Sequence, residues 1–494
     1  MSALEKSVFF TKMADEGTAL TFDDVRLETA PSQFSTSEVD ITSRFSRNVD
    51  LKTPIVSAAM DTVTTSAMAI AIAKLGGIGI IHAGLSLEDQ RNEVRRVKLF
   101  LNGLIEKPVA IFESQSIENV LKICDEKKFD FRTFPVINTD GRFVGLLTQN
   151  DFDFCDDKTS TAGHIMTPAE DVFNAPGNIS VEEAQALMKA RKKKTLPLLN
   201  NDGTVAGLYV FSDVNRITQA NYGQHNLDQS GRLRVGAAVP SDEEAIERVA
   251  ELQKYLDVVV IDTAQGDSKY AFSTLKNLKE EFPGLDVVVG NISAGLSAKK
   301  LAEAGADGIK VGQGPGSICT TRIETGIGSP QVTAVYECVK AIGNEDVPVC
   351  ADGGIKEPGD ISIAIAAGAS SVMMGSMLAG TKEAPGDLIK LENGSRVKLY
   401  RGMGSPSALR DNPASRKRYA VEDGGGQPLS EGVESYIPYK GSVIELVDHY
   451  IKALRKSMSY VGAGNIEDHR KNTRLVRITN AGMRESRPHD VKVI

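Results

Sequence analysis

Residues 312–331 read Gly-Gln-Gly-Pro-Gly-Ser-Ile-Cys-Thr-Thr-Arg-Ile-Glu-Thr-Gly-Ile-Gly-Ser-Pro-Gln and hold the chain's most reactive combination of side chains. Cys319 sits in a glycine-rich loop directly after the run Gly308-Ile309-Lys310-Val311. Glycines let backbone N–H groups approach an anion closely. A thiol held beside them can attack an electrophilic carbon. A lone cysteine is more often an inert packing residue. Here Ser317, Thr320, Thr321 and Arg322 make the surroundings too polar for a core position.

Two further glycine-rich stretches suit a phosphate. They are Val349-Cys-Ala-Asp-Gly-Gly-Ile355 and Met374-Gly-Ser-Met377. Gly353, Gly354, Gly375 and Ser376 offer unobstructed N–H groups, and the Ser376 hydroxyl adds a donor. Asp352 is placed to accept hydrogen bonds from a ribose diol, and Ser317 can reach the same phosphate. Ordinary turns are the plain alternative, and flavin-dependent barrels share the pattern.

These residues need elements to position them. Eight short apolar runs recur: Pro54–Ala58, Ile78–His82, Leu233–Ala238, Asp257–Asp262, Asp286–Gly290, Gly308–Gly312, Val347–Asp352 and Ser371–Gly375. They are rich in Val and Ile and too short for helices, as parallel strands buried on both faces should be. Helical patterns separate most of them: Asp242–Tyr255, with Ser241 as N-cap and an acidic first turn, then Ser297–Gly305, Gln331–Ile342 and Asp360–Gly368. The fold class expected is α/β, a (β/α)8 TIM barrel. A doubly wound sheet is the alternative, but no strand-GxGxxG-helix unit opens the chain.

The totals bound the function. Lys+Arg is 57 against Asp+Glu 65, a formal charge of −8 over 494 residues, which argues against dedicated nucleic-acid binding. Five cysteines without paired spacing make neither a disulfide framework nor a zinc ribbon. No signal-peptide core or membrane-length apolar run occurs, so a cytoplasmic protein with reduced thiols is expected.

The strand spacing breaks once. Roughly 150 residues separate the second run from the third, too many for a loop. The gap holds an internal repeat: Phe134–Asp151 matches Leu196–Asp213, with Pro135 and Pro197, Gly141 and Gly203, Gly145 and Gly207 each 62 apart. Each copy reads helix, strand, Asp-Gly turn, strand, helix start. The pair resembles a Bateman module of two cystathionine-beta-synthase-type (CBS) motifs, about 107–160 and 164–220 within an inserted domain 93–220. That resemblance implies ATP or GTP binding. Thr148 and Asp151 match the Thr-x-x-Asp ending, while Val210 replaces the hydroxyl residue before Asp213. Arg191-Lys-Lys-Lys194 could meet phosphates, but a charge run is more often a solvated helix face.

Together the cysteine loop, Asp352-Gly-Gly, Met374-Gly-Ser376 and Tyr400-Arg-Gly-Met-Gly-Ser405 resemble the IMP dehydrogenase / GMP reductase family, and within it the inosine monophosphate (IMP) dehydrogenases. The likeness spans nearly the whole chain: a catalytic barrel at 1–92 and 221–494 with a mobile flap about 384–435, and the Bateman domain inserted. It implies oxidation of IMP to xanthosine monophosphate with NAD+ and water, through a covalent thioimidate on Cys319. Arg418 and Tyr419 match the flap dyad that activates water, and Thr321 with Glu431 is a second candidate. A free guanidinium has a pKa above ~12, so a base role demands strong perturbation. Taken alone, Ser415-Arg-Lys-Arg418 reads as a solvated basic loop.

By the same resemblance, Ser317, Asp352, Gly353, Gly354, Gly375, Ser376 and Tyr400 hold phosphate and ribose. Gly402, Met403, Gly404 and Glu431 face the base. Asp262 and Asn291, with Gly312 and Gly314, meet the cofactor. A potassium ion is implied on carbonyls of Gly312, Gly314 and Cys319, completed by Glu485, Ser486 and Arg487 of a neighbouring subunit, hence a homotetramer and, through the Bateman domains, an octamer. The chain departs from the family at Gln313, at Gln265 and at Gly84, where an Asn is usual two residues after His82. Three rivals remain: GMP reductase, whose members usually lack the insert and the flap dyad; an FMN-dependent barrel; and a non-catalytic nucleotide sensor.

Overall fold

The computed structural model describes residues 3–101, 104–105, 108–126, 129, 131–177, 179–219, 222–343, 345–419 and 428–491. It divides into two compact units, Met1–Lys98 with Tyr222–Ile494, and Leu99–Asn221.

The first unit is a closed eight-stranded parallel barrel. Its strands are β1 (Ile55–Ser57), β2 (Ile78–Ile81), β3 (Val235–Val239), β4 (Val258–Asp262), β5 (Asp286–Ile292), β6 (Gly308–Val311), β7 (Val349–Asp352) and β8 (Ser371–Met374). They follow the eight apolar runs of the sequence. Each pairs with its successor, and β8 closes on β1 through Val372 opposite Ile55. Almost every strand residue is buried, since helices cover one face and the barrel interior the other. Such a Val or Ile contributes roughly 1.5–3 kcal/mol on burial. An antiparallel pair, Ser43–Ser46 and Val49–Leu51, supplies Phe45, Val49 and Leu51 to the same core as Val56, Ile78 and Val258.

Three sequence expectations shift. The helix after β3 spans Glu244–Leu252, and Asp242 rather than Ser241 meets its first turn, its Oδ1 accepting from the Glu244 N–H at 3.1 Å. The helix Leu87–Leu99 carries the barrel unit past residue 92, so residues 93–98 belong with it. The segment expected to be a mobile flap, about 384–435, holds regular structure over much of its described length. It contains an antiparallel sheet of Ile389–Lys390, Arg396–Arg401 and Glu434–Pro438 and two helices, Pro406–Asp411 and Pro413–Arg418. The Gly424–Gly426 run lies outside the described residues.

Where the barrel chain leaves for the second unit, Lys98 is buried between two carboxylates, 2.8 Å from Asp228 and 2.7 Å from Asp257. Both partners belong to the barrel unit.

The second unit shows two similar halves. One has helix Ile117–Glu126, strands Phe134–Ile137 and Phe143–Leu147, then helix Gln149–Asp153. The other has helix Val181–Arg191, strands Thr195–Leu199 and Val205–Val210, then helix Phe211–Gln219. Each half has its own apolar cluster, around Phe134 and around Leu196. Arg191, Lys192, Lys193 and Lys194 are exposed at a helix end. Among the described residues no helix is long and apolar enough to cross a membrane.

Candidate active site

The strand ends β4 to β8 deliver the chemistry to one mouth of the barrel. Cys319 lies eight residues past β6, half-buried, whereas Cys124, Cys155, Cys338 and Cys350 are buried. Burial pushes the Cys338 and Cys350 thiols up to about 12, which keeps them inert. The Cys319 sulfur lies 3.1 Å from the Thr321 hydroxyl.

The cysteine loop is strapped in place by a second segment. Cys319 bridges antiparallel to Gly432. The Thr320 N–H donates to the Glu431 carbonyl at 3.0 Å, and Val433 N–H to the Ile318 carbonyl at 3.0 Å. Glu431 in turn donates its N–H to the Gly404 carbonyl. Gly312 opens the loop where only glycine fits, since a Cβ there would stand 2.0 Å from the Asp352 carbonyl oxygen.

A cavity of about 120 Å³ is lined by Cys319, Asp262, Asn291, Gly312, Gly314, Asp352, Gly353, Tyr400, Gly402, Met403, Arg418, Tyr419 and Glu431. Most of the expected site residues thus meet in one place. Ser317 and Gly375 adjoin Tyr400 and are not themselves in the lining. A Cβ on Gly375 would lie 2.9 Å from the Tyr400 hydroxyl. Burial raises the Tyr400 phenol, opposed by its hydrogen bond with Ser317, so it is a neutral hydroxyl at pH 7. Ser376 begins a short helix directly after Gly375. Gly354 packs against Phe22 and Pro315, outside the cavity lining.

The segment expected to be a flap packs against this site through helix Pro413–Arg418. Helix Pro413–Arg418 is N-capped by Asn412, whose Oδ1 accepts from Ala414 and Ser415 N–H groups at 2.9 and 3.3 Å. Arg418 is ion-paired with Asp262, and its carbonyl accepts the Ala264 N–H at 3.0 Å. It is therefore not part of a solvated loop. Its Nε is buried with no hydrogen-bond partner. Lys417 pairs with Asp242 at 2.7 Å and with Glu244. The Tyr419 ring packs over Gly404, and burial raises its phenol above the ordinary range, with Arg418 opposing.

A larger cavity of about 750 Å³ is lined by Ser241, Asp242, Thr263, Gln265, Ser268, Tyr270, Gln313, Thr321, Arg418, Tyr419 and Glu431. Arg418, Tyr419 and Glu431 border both cavities.

The three departures have structural partners. Gln313 Nε2 donates to the Ala264 carbonyl at 2.9 Å and Gln265 Oε1 at 3.2 Å, while its Oε1 accepts from the Ser293 hydroxyl at 2.7 Å. Gly84 leaves room for Asn412: a Cβ at 84 would lie 2.1 Å from the Asn412 amide nitrogen. Asn412, Asp242 and Glu244 escaped the sequence reading, as did Lys310. The Lys310 ammonium is buried inside the barrel, 2.7 Å from Asp352 Oδ2 and 2.9 Å from Asp262 Oδ1, and it also meets Asn291 Oδ1. Asn291 Nδ2 donates to Asp352 at 2.9 Å and to the Gly312 carbonyl at 2.6 Å.

Within one chain Glu485, Ser486 and Arg487 are not brought to Gly312, Gly314 and Cys319. Ser486 and Arg487 instead line a separate cavity with Asp23 and Lys356. Among the described residues no cluster of His, Cys, Asp and Glu suits a metal. In the second unit, Asp151 Oδ2 caps its own helix, accepting from the Thr148 N–H at 2.6 Å and hydroxyl at 2.7 Å. Asp213 lies in the first turn of the corresponding helix.

Comparison with known proteins follows the same lines. The family model for the IMP dehydrogenase / GMP reductase domain matches residues 19–489. The inosine-5'-monophosphate dehydrogenase of Aquifex aeolicus is 42% identical over 477 residues, 96% of each chain. That of Bacillus subtilis is 38% identical, covering 98% of this chain and 97% of its own. A crystal structure of a cysteine-to-alanine variant of Trypanosoma brucei GMP reductase, in complex with guanosine 5'-monophosphate, superposes with a TM-score of 0.85 at 37% identity, covering 97% of this chain and 100% of that one. That coverage removes the insert as a feature separating the two activities. With the family model spanning the barrel from before β1 to beyond the flap, this chain belongs to the IMP dehydrogenase / GMP reductase family.

Proposed function

We propose that this chain oxidises IMP to xanthosine monophosphate with NAD+ and water, by nucleophilic catalysis at Cys319. The observation that carries the reading is the dyad beside the thiol: Arg418 and Tyr419 line the cavity that holds the one cysteine left unburied. Full-length identity of 38–42% to IMP dehydrogenases supports it.

IMP would place its phosphate by Ser317, Gly353, Gly354, Gly375, Ser376 and Tyr400, and its ribose diol on Asp352. Gly402, Met403, Gly404 and Glu431 would face the purine. The thiolate of Cys319 adds to C2, forming an S–C bond, and the adduct expels hydride to leave a thioimidate. NAD+, when bound, supplies the hydride acceptor. The larger cavity fits such a dinucleotide, offering hydroxyl and amide groups from Ser241, Ser268, Gln265 and Gln313 and an exposed ring at Tyr270. Asp262, Asn291, Gly312 and Gly314 lie on the inner wall next to the sulfur.

Water must then cleave the S–C bond. Arg418 and Tyr419 stand between the two cavities, where they hold that water and exclude bulk solvent. Thr321, 3.1 Å from the sulfur, and Glu431 form the alternative path for its proton. Gly312, Gly314 and Cys319 carbonyls suit a weakly held potassium ion, completed by Glu485, Ser486 and Arg487 of a second copy. That arrangement implies a homotetramer, with an octamer through the second units. The insert would act as a Bateman domain of two CBS motifs taking ATP or GTP, first at Thr148 and Asp151 and then at Asp213. A cytoplasmic location fits five free thiols.

The test is NADH absorbance on mixing with IMP, NAD+ and potassium. Cys319→Ala should abolish it, and Arg418→Ala should give one burst of NADH and then stall. No NADH from folded protein sinks the proposal. GMP reduction is the second reading, favoured by the Trypanosoma brucei structure. NADPH loss on adding GMP, without NADH formation from IMP, would establish it.

A further inference from the structure

A buried lysine is the unexplained group in this site. Lys310 is 1% exposed on β6, where a bare ammonium would be strongly unfavourable. It donates to Asp352 Oδ2 at 2.7 Å and to Asn291 Oδ1, and Asp262 Oδ1 stands 2.9 Å away. The approach to Asp262 is off the hydrogen-bonding direction, for Asp262 Oδ1 makes no hydrogen bond. It is a contact of charges. Asp262 therefore stands between two cations, Lys310 on Oδ1 and Arg418 on Oδ2. Asp352 has one oxygen on Lys310 and borders the cavity that contains Cys319.

We infer that Lys310 is a positioning residue that couples nucleotide occupancy at Asp352 to flap docking at Asp262. The formal charges of Asp262, Asp352, Lys310 and Arg418 cancel with the flap docked. With Arg418 withdrawn, one negative charge remains. A ribose diol donating to Asp352 competes with Lys310 for that carboxylate. The ammonium then leans on Asp262 and weakens its hold on Arg418. Binding of the nucleotide thereby loosens the flap before the cofactor arrives. By linkage, a docked flap weakens nucleotide binding by the same factor.

This rests on the reading that IMP occupies the Asp352 side. One amide reports on it without catalysis. The Ala264 N–H donates to the Arg418 carbonyl at 3.0 Å, whereas the neighbouring Thr263 and Gly266 N–H groups bond within the barrel. Hydrogen exchange at Ala264 thus reads flap docking in the absence of NAD. IMP binding is measured in parallel by calorimetry. In wild-type protein, saturating IMP should speed Ala264 exchange about fivefold or more, the lower end of ordinary coupling. In Lys310→Met the IMP response should shrink below twofold, with Lys310→Gln as a second neutral variant should the first not fold. IMP binding without any change at Ala264 in wild type overturns the inference, as does an equal response in the folded variant. Absence of any binding heat in wild type overturns the function proposed above and this coupling with it.

Discussion

Removing Lys417 tests whether the docked flap is held by charge. Its ammonium lies 2.7 Å from Asp242 and also meets Glu244, and the three side chains are 38%, 36% and 34% exposed. Pairs this exposed contribute roughly 0.2–1 kcal/mol each, so the two together favour docking by about 1 kcal/mol. That is about a fivefold change in the docked fraction, taking 1.4 kcal/mol as tenfold. On the proposed mechanism, in which the docked dyad serves the water step, Lys417→Ala should therefore lower steady-state turnover up to about fivefold where water attack limits. The first burst of NADH, which on the proposed mechanism does not use the docked flap, should not slow. Stopped-flow absorbance separates the two phases. Salt gives an internal control, since the screening length falls to ~3 Å at 1 M. With potassium fixed and choline chloride raised to that level, the gap between wild type and variant should close to less than twofold. A burst slowed as much as turnover, or a gap untouched by salt, would refute the electrostatic latch.

Two further outcomes follow from named contacts. Gly84→Asn places a side chain where Asn412 now sits, so it should displace the flap helix cap, cost about 1 kcal/mol of helix stability, and cut turnover while sparing the burst. Unaltered turnover would show the two residues do not compete. His469 is fully buried between Ser362 and Thr473, and burial pushes it down to about 4. Its folded pKa lies below the ordinary value of ~6.5, so the unfolded chain takes up the proton first as pH falls. Stability present above pH ~6.5 should then drain away towards pH 4, by about 3 kcal/mol in all. His469→Gln should flatten that part of the melting-temperature profile, and an unchanged slope would remove His469 as the cause.

The barrel was legible because strands buried on both faces must be apolar along their whole length, as Asp257–Asp262 and Ser371–Gly375 are. The repeat was legible because the Asp-Gly turn before Phe143 and that before Val205 demand the same residues. What escaped was of two kinds. Arg396-Val-Lys-Leu-Tyr-Arg401 forms half-exposed antiparallel pairs, and its mixed polarity does not mark it as a strand. Lys310 was hidden inside an apolar run, because nothing in a single sequence says which carboxylates a strand's neighbours will bring to it. Asp262 and Asp352 lie 48 and 42 residues from it in numbering, and only barrel closure joins them. Asn412 is similar: its cap is local, but its fit against Gly84 is made by the fold.

Lys98 carries a last consequence. It is the final barrel residue before the inserted unit, and Asp228 comes a few residues after the chain returns. One ammonium, on the helix Leu87–Leu99, thus ties the two cut ends together within the barrel unit. Replacing residues 99–221 by a short glycine linker should leave this pairing intact, whereas losing Lys98 leaves Asp257 without its counter-charge and Asp228 with Arg232 alone, at a cost of about 3–5 kcal/mol.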